Sequence, residues 1–167
     1  MTEPERLIEK HRAGGMLIDA NLLLLLLVGR TNPERIANFK RTGGDYDVYD
    51  YELLEVVVSS IRRTLTTPHV LTEVSNLAKL SGSELEEFRR IMKASVELMD
   101  ELHEPGRVVV CDQAFQRLGL TDAAICVVCA DVLVLTSDHD LWDSLTRRGL
   151  DAINFTHLRA SDWQLIS

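Results

Sequence analysis

Short apolar runs that alternate with longer helical patterns constrain the fold of this chain more than any other feature. Several of these runs are continuously apolar and lack the polar–apolar alternation of a half-exposed strand. Buried parallel strands need such runs, because helices cover both faces of their sheet. The order of segments therefore predicts a three-layer α/β/α fold with a mainly parallel sheet of about five strands. The expected strands are residues 16–19, 66–70, 107–111, 132–136 and 151–155.

The first fifteen residues are typical of a helical addition to this α/β domain. Residues 2–12 fit a short amphipathic helix, with Pro4 early in it and Gly14 and Gly15 after it. The length of 167 residues predicts one domain. We therefore expect a helical extension over residues 1–15 and a single α/β domain over 16–167. Further helices are expected over 21–28, 33–39, 51–62, 72–80, 83–104, 112–118, 122–130 and 140–148.

Charge and hydropathy exclude two broad classes of protein. The net charge of −8 excludes a generally basic nucleic-acid coat. The longest apolar run, residues 22–28, has seven residues, whereas a membrane-spanning helix needs about 20. Cys111, Cys126 and Cys129 are odd in number and lie among apolar residues, so we expect buried thiols in a reducing compartment. A cytoplasmic protein without membrane partners is predicted.

Four acidic residues follow predicted strands or open the helices beside them. Asp19 and Asp138 follow apolar strands, and Asp122 and Glu73 fall in the first turns of predicted helices. Ligands of open parallel sheets bind at the carboxyl ends of the strands, so these acids are expected to converge. Clustered carboxylates repel one another, and all-oxygen ligation suits Mg²⁺ or Mn²⁺. Such an ion activates water for phosphodiester hydrolysis.

Each acid also has a simpler structural interpretation. An acid in the first turn of a helix is commonly a cap, so Asp122 or Glu73 alone is weak evidence for a site. Asp19 follows an apolar strand and precedes more leucines, where little need for a cap is apparent from the sequence. Asp19 therefore has the strongest individual claim to a functional role.

The order and spacing of five motifs resembles that of the PIN-domain ribonucleases, a family that includes VapC-type toxins. The motifs are LIDAN at 17–21, the leucine-rich helix after it, TPHVLTEVSNL at 67–77, GLTDAAI at 119–125 and VLTSDHDLW at 134–142. Together they lie within residues 16–155. The resemblance implies a Mg²⁺- or Mn²⁺-dependent endoribonuclease with an acidic pocket on a five-stranded parallel sheet. It also implies an RNA substrate and, for a toxin, an antitoxin protein as partner.

The resemblance assigns roles to residues at matching positions. Asp19, Asp122 and Asp138 would be catalytic acids that hold a metal ion. Glu73, also catalytic, would complete a second metal site or orient the attacking water. Asp140 is a fifth candidate ligand, because the Ser-Asp-His-Asp sequence leaves the choice open. The residues expected to orient these ligands are Asn21, Thr136 and Ser137.

Positive charge for holding RNA is less clearly marked in an acidic chain. Basic residues cluster in the connection after the leucine-rich helix and before the second strand. The leucine-rich helices could also pack against a second copy in a homodimer. The candidate RNA-binding residues are Arg35, Lys40, Arg41, Arg62 and Arg63.

Three other functions remain open. A non-catalytic PIN-like scaffold would keep the same sheet and bind a partner protein or RNA without metal. A haloacid-dehalogenase-type phosphatase needs Asp-x-Asp after its first strand, but here Asn21 takes the third position. Metal-free RNA cleavage needs two convergent histidines, and His69 and His139 each lie near a predicted strand end.

Overall fold

Five short parallel strands form the sheet in residues 1–39 and 46–161, the part of the chain described by this computed structural model. Strand β1 lies at the centre, paired with β2 on one side and β4 on the other, and the order is β3-β2-β1-β4-β5. The predicted three-layer α/β/α fold is confirmed. The strands are β1 (Met16–Ile18), β2 (Thr64–Thr66), β3 (Asp100–Glu101), β4 (Leu133–Thr136) and β5 (Ala152–Asn154).

Helices occupy most of the chain between these strands. Their bounds are α1 (Glu3–His11), α2 (Ala20–Thr31), α3 (Val48–Ser59), α4 (Pro68–Leu77), α5 (Gly82–Val96), α6 (Gly106–Val109), α7 (Ala114–Leu118), α8 (Leu120–Val128), α9 (His139–Arg147) and α10 (Phe155–Ala160), with a 3-10 helix over Pro33–Asn38. Among the helices of the described ranges, none combines the length and apolar character needed to cross a membrane.

Helix α2 carries the leucine run into the centre of the protein. Residues 22–29 are all buried, and α3, α4, α5 and the 3-10 helix pack around them. This explains why the helix is apolar on every side, as a fully enclosed helix must be. The run is therefore used within one chain, and the idea that it forms the seam of a homodimer is wrong.

The second strand ends earlier than the sequence predicts. Helix α4 begins at Pro68, whereas the sequence placed a strand over 66–70 and a helix cap at Thr72. Thr67 is the actual cap, since its Oγ1 accepts a hydrogen bond from the Val70 N–H at 3.1 Å. Proline suits the first helical position, where its missing N–H leaves no bond unmade. Glu73 consequently lies in the second turn of α4 and not in the first.

The predicted strand at residues 107–111 is wrong, because this segment contains the short helix α6. Val109 is fully buried, but Val108 and Val110 are 41% and 44% exposed. A strand covered on both faces would bury all three side chains. Cys111, expected to be buried with that strand, is exposed, whereas Cys126 and Cys129 are buried as predicted.

One edge of the sheet is formed by β3 and not by the predicted strand at 107–111. Strand β3 consists of two exposed acidic residues paired with β2. A short, charged strand resists pairing with other chains, which is how natural sheets protect an edge. On the side of β5, helix α1 forms as predicted and packs on the same core. Leu7 and Ile8 are buried there, and His11 Nε2 lies 2.7 Å from Asp151 Oδ2.

Helices α2 and α3 meet closely at Gly29, which allows a sharp stability prediction. A Cβ at this position would lie 2.2 Å from Cδ2 and 2.6 Å from Cγ of Tyr51. The Tyr51 hydroxyl is held by Glu55 at 3.0 Å, so the ring cannot move without losing that bond. We expect Gly29→Ala to lower the free energy of unfolding in urea by about 1–3 kcal/mol, despite the better helix propensity of alanine.

A matched control for this prediction is Gly106→Ala. A Cβ at Gly106 meets no atom within 4 Å among the described residues. This variant should unfold within about 0.5 kcal/mol of the wild type, as surface substitutions usually do. A Gly29→Ala protein as stable as the control would contradict the close packing of α2 on α3.

Candidate functional site

Asp19 lies at the carboxyl end of β1, buried to 4% exposure. It caps α2, since Oδ1 accepts a hydrogen bond from the Leu22 N–H at 3.0 Å. Oδ2 accepts hydrogen bonds from the Thr136 hydroxyl and from the Ser137 N–H, the latter at 3.0 Å. The expectation that Asp19 has little capping purpose is wrong, because the chain passes directly from β1 into α2. Its burial nevertheless raises the pKa of the carboxyl group above the ordinary value.

The turn from β4 into α9 supports Asp19 from the neighbouring strand. The Thr136 hydroxyl, which donates to Asp19, also accepts a hydrogen bond from the Asp138 N–H at 2.9 Å. Asp138 caps α9, since its Oδ1 accepts from the N–H groups of Asp140 and Leu141 at 2.8 and 3.0 Å. One side chain therefore fixes the positions of two acids. Thr136 and Ser137 lie where the resemblance places orienting residues.

The carboxyl group of Asp122 interacts with the other three predicted catalytic acids. It is half-buried in the first turn of α8. Burial, followed by the negative charges of Asp138, Asp19 and Glu73, raises the pKa of Asp122 to about 7. Asp138, Asp19 and Glu73 therefore each lie within electrostatic range of Asp122. The structure thus brings together acids from β1, α4, α8 and the turn after β4.

Two other predicted residues lie beside this group without joining it. Asp140 is exposed, and its charge is absent from those that raise the pKa of Asp122. Asp138 is exposed as well, but its charge does act on Asp122, so it is the acid of the Ser-Asp-His-Asp sequence that interacts with this group. Asn21 is half-buried in the first turn of α2, and its side chain makes no hydrogen bond with a described residue.

The four carboxylates offer oxygen ligands without forming a ready-made cage. In the described ranges, no three His, Cys, Asp or Glu side chains are placed to hold one metal ion together. Asp19 and Asp138 are fixed by the helix caps, whereas Asp122 and Glu73 accept no hydrogen bond from any described residue. The donor set of carboxylate oxygens fits Mg²⁺ or Mn²⁺ rather than Zn²⁺.

We expect Mg²⁺ or Mn²⁺ to stabilise the fold through these carboxylates. An ion that binds only the native state should add about 2.7 kcal/mol to the free energy of unfolding at 100 times its dissociation constant. Urea unfolding in EDTA and at increasing metal concentration measures this gain. The Asp122→Asn protein should lose most of it and Asp140→Asn should keep it. A wild-type protein that millimolar metal leaves unchanged would contradict the prediction.

The basic residues predicted to bind RNA are not gathered around the acids. Arg35 is paired with Glu84. Arg62 and Arg63 precede β2, at the amino edge of a parallel sheet, opposite the edge that carries the carboxylates. They cannot contact a phosphate held at that group. The remaining candidates, Lys40 and Arg41, lie outside the described residues.

A group of three side chains near Ser137 was not found by sequence reasoning. Tyr46 is buried, and although burial raises the pKa of its hydroxyl, the Ser137 side chain beside it acts to lower that pKa. The Arg159 guanidinium lies 5.4 Å from the centre of the Tyr46 ring and pairs with buried Asp50 at 2.6 Å. These contacts join α10 and α3 to the turn after β4. No local pattern marks them, because the partners are distant in sequence.

The two histidines of the metal-free alternative have different surroundings. His139 is exposed in the first turn of α9, and its ring centre lies 5.5 Å from that of Trp142. His69 lies in the first turn of α4 and contributes to a cleft with α8. The observed contacts do not join them into an acid–base pair.

Comparison of the sequence with family models and curated proteins identifies no relative. No protein-family model matches the sequence, and no curated protein matches it. The resemblance to PIN-domain ribonucleases therefore rests on the motifs and on the arrangement of acids described above.

Proposed function

We propose that this protein is a PIN-like endoribonuclease that hydrolyses RNA phosphodiester bonds with Mg²⁺ or Mn²⁺. The observation that carries the proposal is that half-buried Asp122 lies within reach of the charges of Asp138, Asp19 and Glu73, so that burial and then these charges raise its pKa to about 7. Carboxylates that repel one another lower the stability of the folded state. Proteins therefore keep such groups chiefly at functional sites. Four separate segments contribute acids, so helix capping alone does not account for them.

Asp19, Asp122 and Asp138 would hold the ion, and Glu73 would complete a second site or orient the attacking water. When bound, a divalent ion lowers the pKa of water and stabilises negative charge on the scissile phosphate. Thr136 and Ser137 keep the Asp19 carboxylate in one orientation. Hydrolysis forms a bond from the water oxygen to phosphorus and breaks the bond to the leaving sugar oxygen, which takes up a proton.

The proposed roles of Asp122 include proton release. With a pKa of about 7, its carboxyl group is part-protonated at neutral pH. A cation favours the charged form of a neighbouring carboxyl group, so metal binding should displace this proton. An antitoxin partner belongs to the same proposal, since it follows from the resemblance to toxin members, whereas a cytoplasmic location is proposed from the odd number of cysteines and the apolar residues around them. A homodimer remains a separate prediction.

Cleavage of labelled single-stranded RNA by the purified protein tests the proposal directly. We expect cleavage inside the chain that requires Mg²⁺ or Mn²⁺ and stops in EDTA. Cleavage that continues in EDTA would contradict the proposed metal chemistry. RNA binding with no cleavage at millimolar metal would support the non-catalytic scaffold instead.

A further inference from the structure

A cleft between α4 and the start of α8 opens beside the carboxylates. Its volume is about 690 Å³, which lies within the usual range for small-molecule sites. Glu73 lines the cleft, and so does Thr121, which directly precedes Asp122 in the chain. The cleft therefore adjoins the carboxylates at Glu73 and at the residue before Asp122, and a molecule in the cleft would lie next to the proposed reaction site.

Several polar groups in the lining of this cleft make no hydrogen bond or ion pair with a described residue. Asn76 and Thr121 line it, and their side chains make no hydrogen bond with any described residue. Lys79 also lines it, is exposed and has no ion pair within the described ranges. His69 Nδ1 is buried with no hydrogen-bond partner among the described atoms, which carries a cost in stability. These groups are suited to a ligand with a polar edge and a negative charge.

Apolar side chains complete the walls of the cleft. Pro68, Leu77 and Leu120 line it, and Leu120 is 40% exposed although it is a large hydrophobic residue. A nucleobase combines apolar faces with a hydrogen-bonding edge, and its phosphate carries negative charge. The cleft offers a counterpart to each of these parts. A base paired within a helix cannot leave its stack to enter a cleft without a cost, so a single strand fits best.

We propose that this cleft binds one nucleotide of single-stranded RNA next to the phosphate that is cleaved. Asn76 and Thr121 hydrogen-bond to the base, and Lys79 contacts a neighbouring phosphate. The proposal rests on the proposed function for its choice of ligand. It also explains how an acidic protein holds RNA at this edge, where Arg62 and Arg63 do not reach.

Binding is tested apart from cleavage, on protein that carries Asp122→Asn. This change removes one negative charge and the proposed metal site, so the RNA stays intact. Fluorescence anisotropy of a fluorescein-labelled single-stranded RNA of mixed sequence is measured in EDTA at several salt concentrations. Adding Lys79→Ala should reduce the slope of log affinity against log salt by about 0.7, the value for one phosphate contact on a single strand. Arg62→Ala, a cation at the opposite edge, should leave the slope unchanged.

Asn76→Ala should weaken binding without changing the salt slope, because an amide contact involves no charge. The expected loss is about 3- to 10-fold, as for one hydrogen bond. Ser75→Ala, on the same helix but outside the cleft lining, is the matched control. In wild-type enzyme with metal, Lys79→Ala and Asn76→Ala should raise KM more than they lower kcat.

The outcomes separate this proposal from the proposed function. Metal-dependent cleavage that neither Lys79→Ala nor Asn76→Ala affects would overturn the proposal that the cleft binds RNA. It would leave the proposed nuclease activity standing. RNA binding that depends on both residues, without cleavage by the wild type, would support the cleft and overturn the nuclease. Failure to bind the single strand, or equal affinity for duplex RNA, would overturn the proposal that the cleft binds a nucleotide of single-stranded RNA.

Discussion

Asp19→Asn should reduce metal-dependent RNA cleavage by about 10³-fold or more. A bound divalent ion supplies several kcal/mol of charge stabilisation in the transition state, and each 1.36 kcal/mol is tenfold in rate. Asparagine removes the negative charge that would bind the ion. It also offers one oxygen where the aspartate uses two, since Oδ1 binds the Leu22 N–H and Oδ2 binds Thr136 and Ser137. Initial rates with labelled RNA at saturating metal measure the loss.

Two controls show whether a loss of activity reflects chemistry and not unfolding. Asparagine is a good helix cap, so Asp19→Asn should still form α2, which circular dichroism and urea unfolding can verify. Asp140→Asn removes the exposed acid three residues beyond Ser137 and should cleave within a few-fold of the wild type. A folded Asp19→Asn protein that cleaves as fast as Asp140→Asn would refute the assignment of Asp19.

The second large effect is a gain in stability from Asp122→Asn at neutral and alkaline pH. In the folded protein the pKa of Asp122 is about 7, raised from an ordinary value of 3.8. The folded state therefore holds the proton more tightly than the unfolded state. This favourable contribution is fully present below about pH 4 and is lost as the pH rises through about 7. For a half-buried carboxyl group we expect a loss of about 2–4 kcal/mol.

Urea unfolding in EDTA at pH 5 and pH 8 measures this effect. The wild type should lose stability between the two values, whereas Asp122→Asn should lose much less and exceed the wild type at pH 8. Asp140→Asn, which removes an acid outside the repelling group, should follow the wild-type pH dependence. Parallel pH profiles for Asp122→Asn and the wild type would contradict the placement of Asp122 among the other acids.

Part of the fold follows from local sequence alone. The apolar runs of β1, β4 and β5 predict strands within one or two residues of their observed positions, because a strand covered on both faces needs continuous apolar side chains. The leucine run similarly predicts an enclosed helix. The positions of Asp19 and Asp138 after their strands then place both acids at one edge.

The remaining elements depend on contacts between distant parts of the chain. Two acidic residues form β3 only because they pair with β2, where Leu65 lies opposite Asp100. The valines at 108–110 have high strand propensity, but the packing of Val109 alone into the core leaves its neighbours in solvent. No local pattern contains either fact.

The candidate site divides in the same way. The sequence by itself determined that Asp19 and Asp138 follow their strands and that Asp122 opens a helix, since these positions depend on the apolar pattern and on turn residues, whereas it placed Glu73 one turn too early in α4. Tertiary structure decided that the charge of Asp138, and not that of Asp140, acts on Asp122. It also decided that Thr136 holds Asp19 across 117 positions of sequence and that a cleft lies beside Glu73. Electrostatic repulsion and burial depend on distances in space, and those distances exist only once the helices pack on the sheet.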